Sequence, residues 1–269
     1  MAKKIRLVAT DMDGTFLNEA GAFNHKRLAR LLKQFEDNNI ILAAASGRAL
    51  LALDKLFAGF TDKIAIIAEN GAFIQYKGET LFEQHMPKEQ YLQLIDKILE
   101  NPYNRGKELL LSGKKAAYIL KDSPQSYIDH MRLYYENVQV VEDFENLEDT
   151  IFKITTNFAP QDVRNGENWL NEQLPHMQAV TTGFASIDVI QRGSNKGFGL
   201  DHLCQKLVIP SHQTLAFGDN LNDWEMLRFA GHAVAPENAR SEIQKIADEV
   251  IGHHNEESVM SYMEGLVNG

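Results

Sequence analysis

The stretch Ile5-Arg6-Leu7-Val8-Ala9-Thr10-Asp11-Met12-Asp13-Gly14-Thr15 decides the fold. Its first six residues form a mostly apolar run of the length of a buried β-strand. Two carboxylates then stand two residues apart, where strand gives way to loop, and Gly14 lets the chain turn sharply away. In an open α/β sheet, ligands bind at that carboxyl edge of the strands. A carboxylate pair placed there can hold a hard cation and also act on a substrate.

Downstream, strand and helix alternate. Asn24–Asn38 carries Leu28, Leu31, Leu32 and Phe35 at helical spacing, Ile40–Ala45 reads as a second strand, Leu50–Phe57 as a short helix and Ile64–Ala68 as a third strand. This rhythm implies parallel strands joined by right-handed crossovers. Near Phe82 the rhythm changes. Helices are predicted at Pro87–Asn101, Pro124–Asn137 and Gln161–Leu174, with strands at Leu109–Leu111, Ala116–Leu120, Gln139–Val141, Ile151–Asn157, Ala179–Thr181 and Ser186–Ile190. That block reads as an antiparallel sheet with helices on one side. From Lys196 the first rhythm returns, with strands at Thr214–Phe217, His232–Ala235 and Glu249–Ile251 and helices at Gly197–Leu207, Asp223–Ala230, Ala239–Ala247 and Glu256–Leu266. The fold class is therefore α/β: a Rossmann-like parallel-sheet core, residues 1–82 and 192–269, interrupted by an inserted α+β domain, residues 83–191. Hinges are expected near Gln84–Pro87 and Gln191–Asn195.

Composition excludes several classes. The chain has 269 residues, 44% hydrophobic and 24% charged, with a net charge of −10. An acidic surface of this kind disfavours nucleic acid or an anionic membrane as the main partner. No apolar run reaches the roughly 18 residues of a membrane span, and the first residues lack the apolar stretch of a signal peptide. The single cysteine, Cys204, forms no internal disulfide, which fits a cytoplasmic protein. It is expected in the core, as are Trp224, Met226 and the tyrosines Tyr127, Tyr134 and Tyr135. His253-His254 has no third ligand at metal-binding spacing and reads as exposed and polar.

Further chemistry-bearing groups follow other strands. Ile40–Ala45 ends in Ser46-Gly47-Arg48, Thr214–Phe217 ends in Gly218-Asp219-Asn220-Leu221-Asn222-Asp223, and Lys196 opens a helix. Parallel strands would bring all of these to one edge. Four carboxylates, Asp11, Asp13, Asp219 and Asp223, repel one another without a cation, and oxygen donors alone favour Mg²⁺ over zinc. Ser46, the Gly47 amide and Lys196 can donate to a phosphoryl group. Each motif alone is commonly a turn or a helix cap; their combination at strand ends points to phosphoryl transfer.

Together the four motifs resemble those of the haloacid dehalogenase superfamily in order, context and spacing. Glu69-Asn70-Gly71-Ala72 and the insert after it resemble the Cof-type branch with its α/β cap, and notably its bacterial sugar phosphatases. The resemblance implies an aspartyl nucleophile at Asp11, a general acid/base at Asp13, and Mg²⁺ bound by Asp11, the Asp13 carbonyl and Asp219, with Asp223 orienting that shell. It implies phosphoryl contacts from the Met12 amide, Ser46, Gly47, Lys196 and Asn222, and support of the loop by Thr15. Arg48 either touches the leaving group or pairs with an acid. The implied substrate is a small phosphomonoester, with a monomer or weak homo-oligomer as the assembly. The cap loops Ser112–Lys114 and Thr182–Ser186 are candidates for leaving-group contacts. Two alternatives share these motifs: a phosphosugar mutase or phosphotransferase, and a non-catalytic phosphate-responsive regulator.

Overall fold

The computed structural model describes residues 4–183 and 185–268. Its first stretch runs β1 (Leu7–Thr10), α1 (His25–Asp37), β2 (Ile41–Ala45), α2 (Leu50–Leu56), β3 (Ala65–Ala68), β4 (Phe73–Tyr76) and β5 (Glu79–Glu83). The middle runs α3 (Lys88–Glu100), β6 (Asn104–Gly113), β7 (Ala117–Leu120), α4 (Gln125–Met131), β8 (Val138–Val141), β9 (Ile151–Phe158), α5 (Val163–Gln173), β10 (Met177–Gly183) and β11 (Ser186–Gln191). The last runs α6 (Lys196–Leu207), β12 (Thr214–Phe217), α7 (Trp224–Phe229), β13 (His232–Pro236), α8 (Ser241–Gln244), β14 (Glu249–Ile251) and α9 (Ser258–Asn268).

The chain divides into two compact units. One holds the chain up to Arg48, Phe57–Glu83 and the chain from Asn195; the other holds Ala49–Leu56 and Gln84–Ser194. The first unit carries an eight-stranded sheet in the order β14-β13-β12-β1-β2-β3-β4-β5. From β14 to β3 every pairing is parallel. Leu7, Val8 and Ala9 of β1 are fully buried, as a strand covered on both faces requires. Strand order reverses at β1, which lies between β12 and β2, and that reversal opens a crevice at the carboxyl edge. Strands β4 and β5 extend the sheet as an antiparallel hairpin that was not anticipated between Ile64–Ala68 and Phe82.

The second unit has a six-stranded sheet, β10-β11-β9-β6-β7-β8, antiparallel except where β8 runs parallel to β7. Its helices do not share one side. Leu109 and Leu111 pack in one cluster with residues of α3 and α5, whereas Leu110, Ala117 and Ile119 pack with Tyr127, Ile128 and Met131 of α4 in another. Alternate residues of a strand face opposite ways, so α4 covers the opposite face. Helix α4 also stops earlier than expected. Beyond Met131 the chain tightens into three-residue turns, and Leu133 and Tyr134 face solvent rather than a core. The two crossings lie side by side within this unit: Ser194 Oγ donates to Gln84 Oε1 (2.8 Å) and Gln191 Nε2 to the His85 carbonyl (3.0 Å).

Met226 is buried as expected, but Trp224 is exposed. Cys204 is buried, and burial pushes its thiol up to about 12. The helix expected at Ala239–Ala247 shrinks to α8. Ala239 closes a turn onto the Pro236 carbonyl, and the Arg240 amide donates to the Asp219 carbonyl (2.9 Å) instead of entering a longer helix. Among the described residues, no helix is long and apolar enough to cross a membrane.

Two local features make predictions. Helix α6 ends with the Ile209 amide on the Cys204 carbonyl and the Val208 amide on Gln205, a Schellman arrangement. Val208 therefore sits at φ 53°, in the left-handed region, although it is β-branched and 81% exposed. Replacing it with glycine removes that strain and should stabilise the chain by about 1 kcal/mol, read as a higher denaturant midpoint. At the other end, Arg27 of α1 donates to Glu264 (2.7 Å) and Glu257 (2.8 Å), tying α9 down. The hydrogen bond from Arg27 holds the Glu264 carboxyl below its usual range. A depressed carboxylate contributes stability that is full above its unfolded pKa and lost as pH falls through the folded one. Amide-exchange protection across 258–268, taken relative to the intrinsic rate at each pH, should therefore fall below about pH 4, and Arg27→Ala should show that low protection already at neutral pH.

Candidate active site

The site begins where β1 ends. The Asp11 amide donates to the Phe217 carbonyl of β12 (3.0 Å), carrying the parallel ladder one residue past the strand. The Phe16 and Leu17 amides then reach back five residues to Asp11 and Met12, closing a wide loop. Met12 is buried beneath it while Asp13 faces outward. Gly14 sits at φ +81°, and a Cβ there would lie 2.6 Å from Asp219 Oδ2, so only glycine lets the two loops approach.

Lys196 stands at the centre. Its ammonium donates to Asp11 Oδ1 (2.5 Å) and Asp223 Oδ1 (2.6 Å), with side-chain exposures of 1%, 7% and 0% respectively. Burial alone would depress this ammonium, but the two carboxylates overrule it and hold it above its usual range. Asp11 is shifted upward, first by burial and then by the Asp223 charge, against the pull of Lys196. Asp219 is raised by the same two causes. Asp223 also accepts the Asp219 and Asn220 amides at 2.9 and 3.0 Å, closing its own turn. Thr15 donates to Asp219 Oδ1 (3.0 Å), so it supports a carboxylate as well as the loop it belongs to.

Asp13 points elsewhere. Arg48 grips its carboxylate with two bonds, Nε to Oδ2 (2.9 Å) and Nη2 to Oδ1 (2.5 Å), and the hydrogen bond holds the guanidinium above its usual range. Of the two roles expected for Arg48, this is the pairing with an acid. Ser46 is buried, its hydroxyl accepting the Arg48 amide (3.1 Å). Behind it, Glu69, Asn70 and Gly71 take positive φ in succession. Their turn receives the Ser46–Arg48 segment through the Glu69 amide on Arg48 O and the Asn70 amide on Ser46 O. A Cβ on Gly71 would meet the Asn195 carbonyl at 2.2 Å, so this turn also fixes where α6, and with it Lys196, begins. Asn222 stands exposed in the turn Leu221–Asp223. In the second unit, Phe184 of the expected Thr182–Ser186 loop lies outside the described residues.

Two contacts to this loop escaped the sequence reading. Asn238 donates to the Gly14 carbonyl (2.7 Å), and the His254 ring bonds the Leu17 carbonyl (2.7 Å). His254 is half-buried and anchored, not the exposed polar residue expected.

A family model described as haloacid dehalogenase-like hydrolase matches residues 8–263, and the chain belongs to that family. A 5-amino-6-(5-phospho-D-ribitylamino)uracil phosphatase of Escherichia coli (strain K12) is 33% identical over 264 residues, covering 98% of this chain and 96% of its own. A Bacillus subtilis phosphatase is 27% identical over 295 residues, covering 98% of this chain and all of its own. A solved Streptococcus mutans structure superposes with a TM-score of 0.88 at 27% identity, covering 99% of this chain and 100% of its own. A haloacid dehalogenase subclass IIB sugar phosphatase shares the fold, with a TM-score of 0.78 at 20% identity over 97% of this chain and 99% of its own. The chain is a phosphoric monoester hydrolase of this family.

The family generally uses a divalent metal, and the residues fit one. Carboxylate oxygens of Asp11, Asp219 and Asp223 lie within 4.8 Å of one another, and all three donors are hard oxygens. One ammonium against three carboxylates leaves a surplus of negative charge.

Removing the ammonium alone tests the electrostatics. Lys196→Met leaves Asp11 and Asp223 buried without their cation and should cost about 3–5 kcal/mol in chemical denaturation. A smaller cost for Lys196→Arg than for Lys196→Met would show that charge, and not only volume, is what the site needs.

Proposed function

We propose that this chain is a cytoplasmic, Mg²⁺-dependent phosphatase of small phosphomonoesters, sugar phosphates foremost, acting through an aspartyl-phosphate on Asp11. The observation that carries the reading is the buried cluster of Asp11, Asp223 and Lys196 beside Asp219. The E. coli relative, whose named substrate carries its phosphate on a ribityl chain, supports the substrate class. The Asp11 and Asp219 carboxylates and the Asp13 carbonyl would hold Mg²⁺, with Asp223 orienting them; when bound, the ion offsets charge on the phosphoryl oxygens.

Asp11 attacks phosphorus through a carboxylate oxygen, and the bond from phosphorus to the leaving oxygen breaks. Asp13 gives that oxygen its proton, so an alcohol departs. Water then attacks the aspartyl-phosphate, Asp13 takes a proton from it, and inorganic phosphate leaves with Asp11 restored. Lys196, Ser46, Asn222 and the Met12 and Gly47 amides hold the phosphoryl oxygens throughout. Arg48 reaches the leaving-group side through Asp13. The inserted second unit is assigned the choice of leaving group, because the core acts only on the phosphoryl group.

Phosphate release from a panel of sugar phosphates, nucleotides and other monoesters, with and without Mg²⁺, tests this. Release should need Mg²⁺ and fall about a thousandfold or more in Asp11→Asn. Isomerised sugar phosphate with little free phosphate would make the chain a mutase instead, and release that survives in Asp11→Asn would reject the nucleophile.

A further inference from the structure

The loop that carries Asp13 has little to hold it from within. Its two backbone bonds, from Phe16 and Leu17, lie at its ends, and between them Gly14 sits at positive φ. The Asp13 side chain is 60% exposed, so packing does not fix it. Arg48 holds the carboxylate itself and Thr15 ties to Asp219, while the backbone carbonyls of the loop are held by segments more than 200 positions away in the sequence. Asn238 Nδ2 donates to the Gly14 carbonyl (2.7 Å), while Asn238 Oδ1 accepts the His254 amide (3.1 Å). One partner only accepts and the other only donates, so the amide has a single workable orientation. His254 Nδ1 meets the Leu17 carbonyl at 2.7 Å. A carbonyl cannot donate, so the proton of that bond sits on Nδ1. Asn255 Oδ1 accepts the Glu19 amide (2.8 Å). Residues 14, 17 and 19 are thus each tethered to the chain that follows β13 and β14. The same turn grips the neighbouring loop, because the Arg240 amide donates to the Asp219 carbonyl (2.9 Å).

We infer that Asn238 and His254 are positioning residues that clamp the Gly14–Leu17 loop, so that the Asp13 carboxyl meets the leaving oxygen at the angle proton transfer requires. The inference rests on the reading of Asp13 as general acid. Neither side chain touches a reacting group; both act through backbone carbonyls. Asn238 sets the tilt of the peptide one residue from Asp13, and His254 sets the loop's exit.

A clamp that only stabilises the fold would slow every substrate alike. A clamp that aims an acid matters only when the leaving group needs a proton. The experiment therefore compares kcat/KM, which reports the formation of the aspartyl-phosphate, for an alkyl phosphate and for p-nitrophenyl phosphate, whose phenolate leaves unaided. Asn238→Asp keeps the acceptor for His254 but sets an oxygen against the Gly14 carbonyl. His254→Leu removes the donor to Leu17, and His254→Asn offers an amide N–H in its place. With Mg²⁺ present, Asn238→Asp and His254→Leu should lose about tenfold to hundredfold on the alkyl phosphate and less than about threefold on p-nitrophenyl phosphate. His254→Asn should recover most of the loss. Equal losses on both substrates, or none on either, would overturn the clamp. If Asn238→Asp does not fold, the comparison of His254→Leu with His254→Asn carries the same test. Asp13→Asn is measured alongside. Should it keep full activity on the alkyl phosphate, the acid assignment falls and the clamp with it, whereas a selective loss there without one in the clamp variants rejects the clamp alone.

Discussion

Lys196 brings one ammonium into contact with carboxylates from two loops, Asp11 after β1 and Asp223 after β12, where solvent reaches almost none of it. A buried charge is tolerated only when paired and hydrogen-bonded. That requirement propagates outward. It demands that β1 and β12 be neighbours, which the parallel pairing of Leu7–Thr10 with Thr214–Phe217 provides. It demands that α6 begin close to the sheet edge, which the Glu69–Gly71 turn permits only because Gly71 has no Cβ. The pairing also leaves the surplus of negative charge that suits the site to a hard cation.

Two carboxylates two residues apart meet opposite environments. Asp11 continues the β1 ladder and points into the cluster, and Asp13 lies beyond the strand's last restraint and meets Arg48 at the surface. Pairs of like groups driven into unlike surroundings are how one fold separates a nucleophile from an acid/base. Here the difference in surroundings comes from backbone geometry, because the chain leaves the strand between the two residues, and it suits the proposed division of roles between Asp11 and Asp13.

Much of this was legible in the sequence. Strands buried on both faces read as short apolar runs, and Thr214–Phe217 appears at those bounds, as does the exposed edge strand Glu249–Ile251. The motifs stood out because their chemistry clusters at strand ends. The misses have physical causes. The β4–β5 hairpin follows β3 almost without a break, and its clearest signal was Lys77-Gly78, which turns the chain with both residues at positive φ. The run Leu109-Leu110-Leu111 is apolar at both parities, which signals cover on both faces of the second sheet and not on one. Tyr134 lies past the end of α4 and Trp224 opens α7, and both face solvent where packing was expected, because a bulky apolar side chain at a helix end has no core beneath it.

The support of the Asp13 loop was invisible for a different reason. Asn238 and His254 act on the carbonyls of Gly14 and Leu17, and a carbonyl is the same at every position of any chain. Pattern reading finds residues by the chemistry of their own side chains, and so it singled out Asp11, Lys196, Asp219 and Asp223, which the structure brings together. It cannot find a residue whose partner is backbone far along the chain, because nothing in the partner's identity marks the contact. The two kinds of interaction divide the work. Charge gathers the groups into one crevice and pairs Asp13 with Arg48, and long-range hydrogen bonds to backbone hold the loop from Gly14 to Leu17.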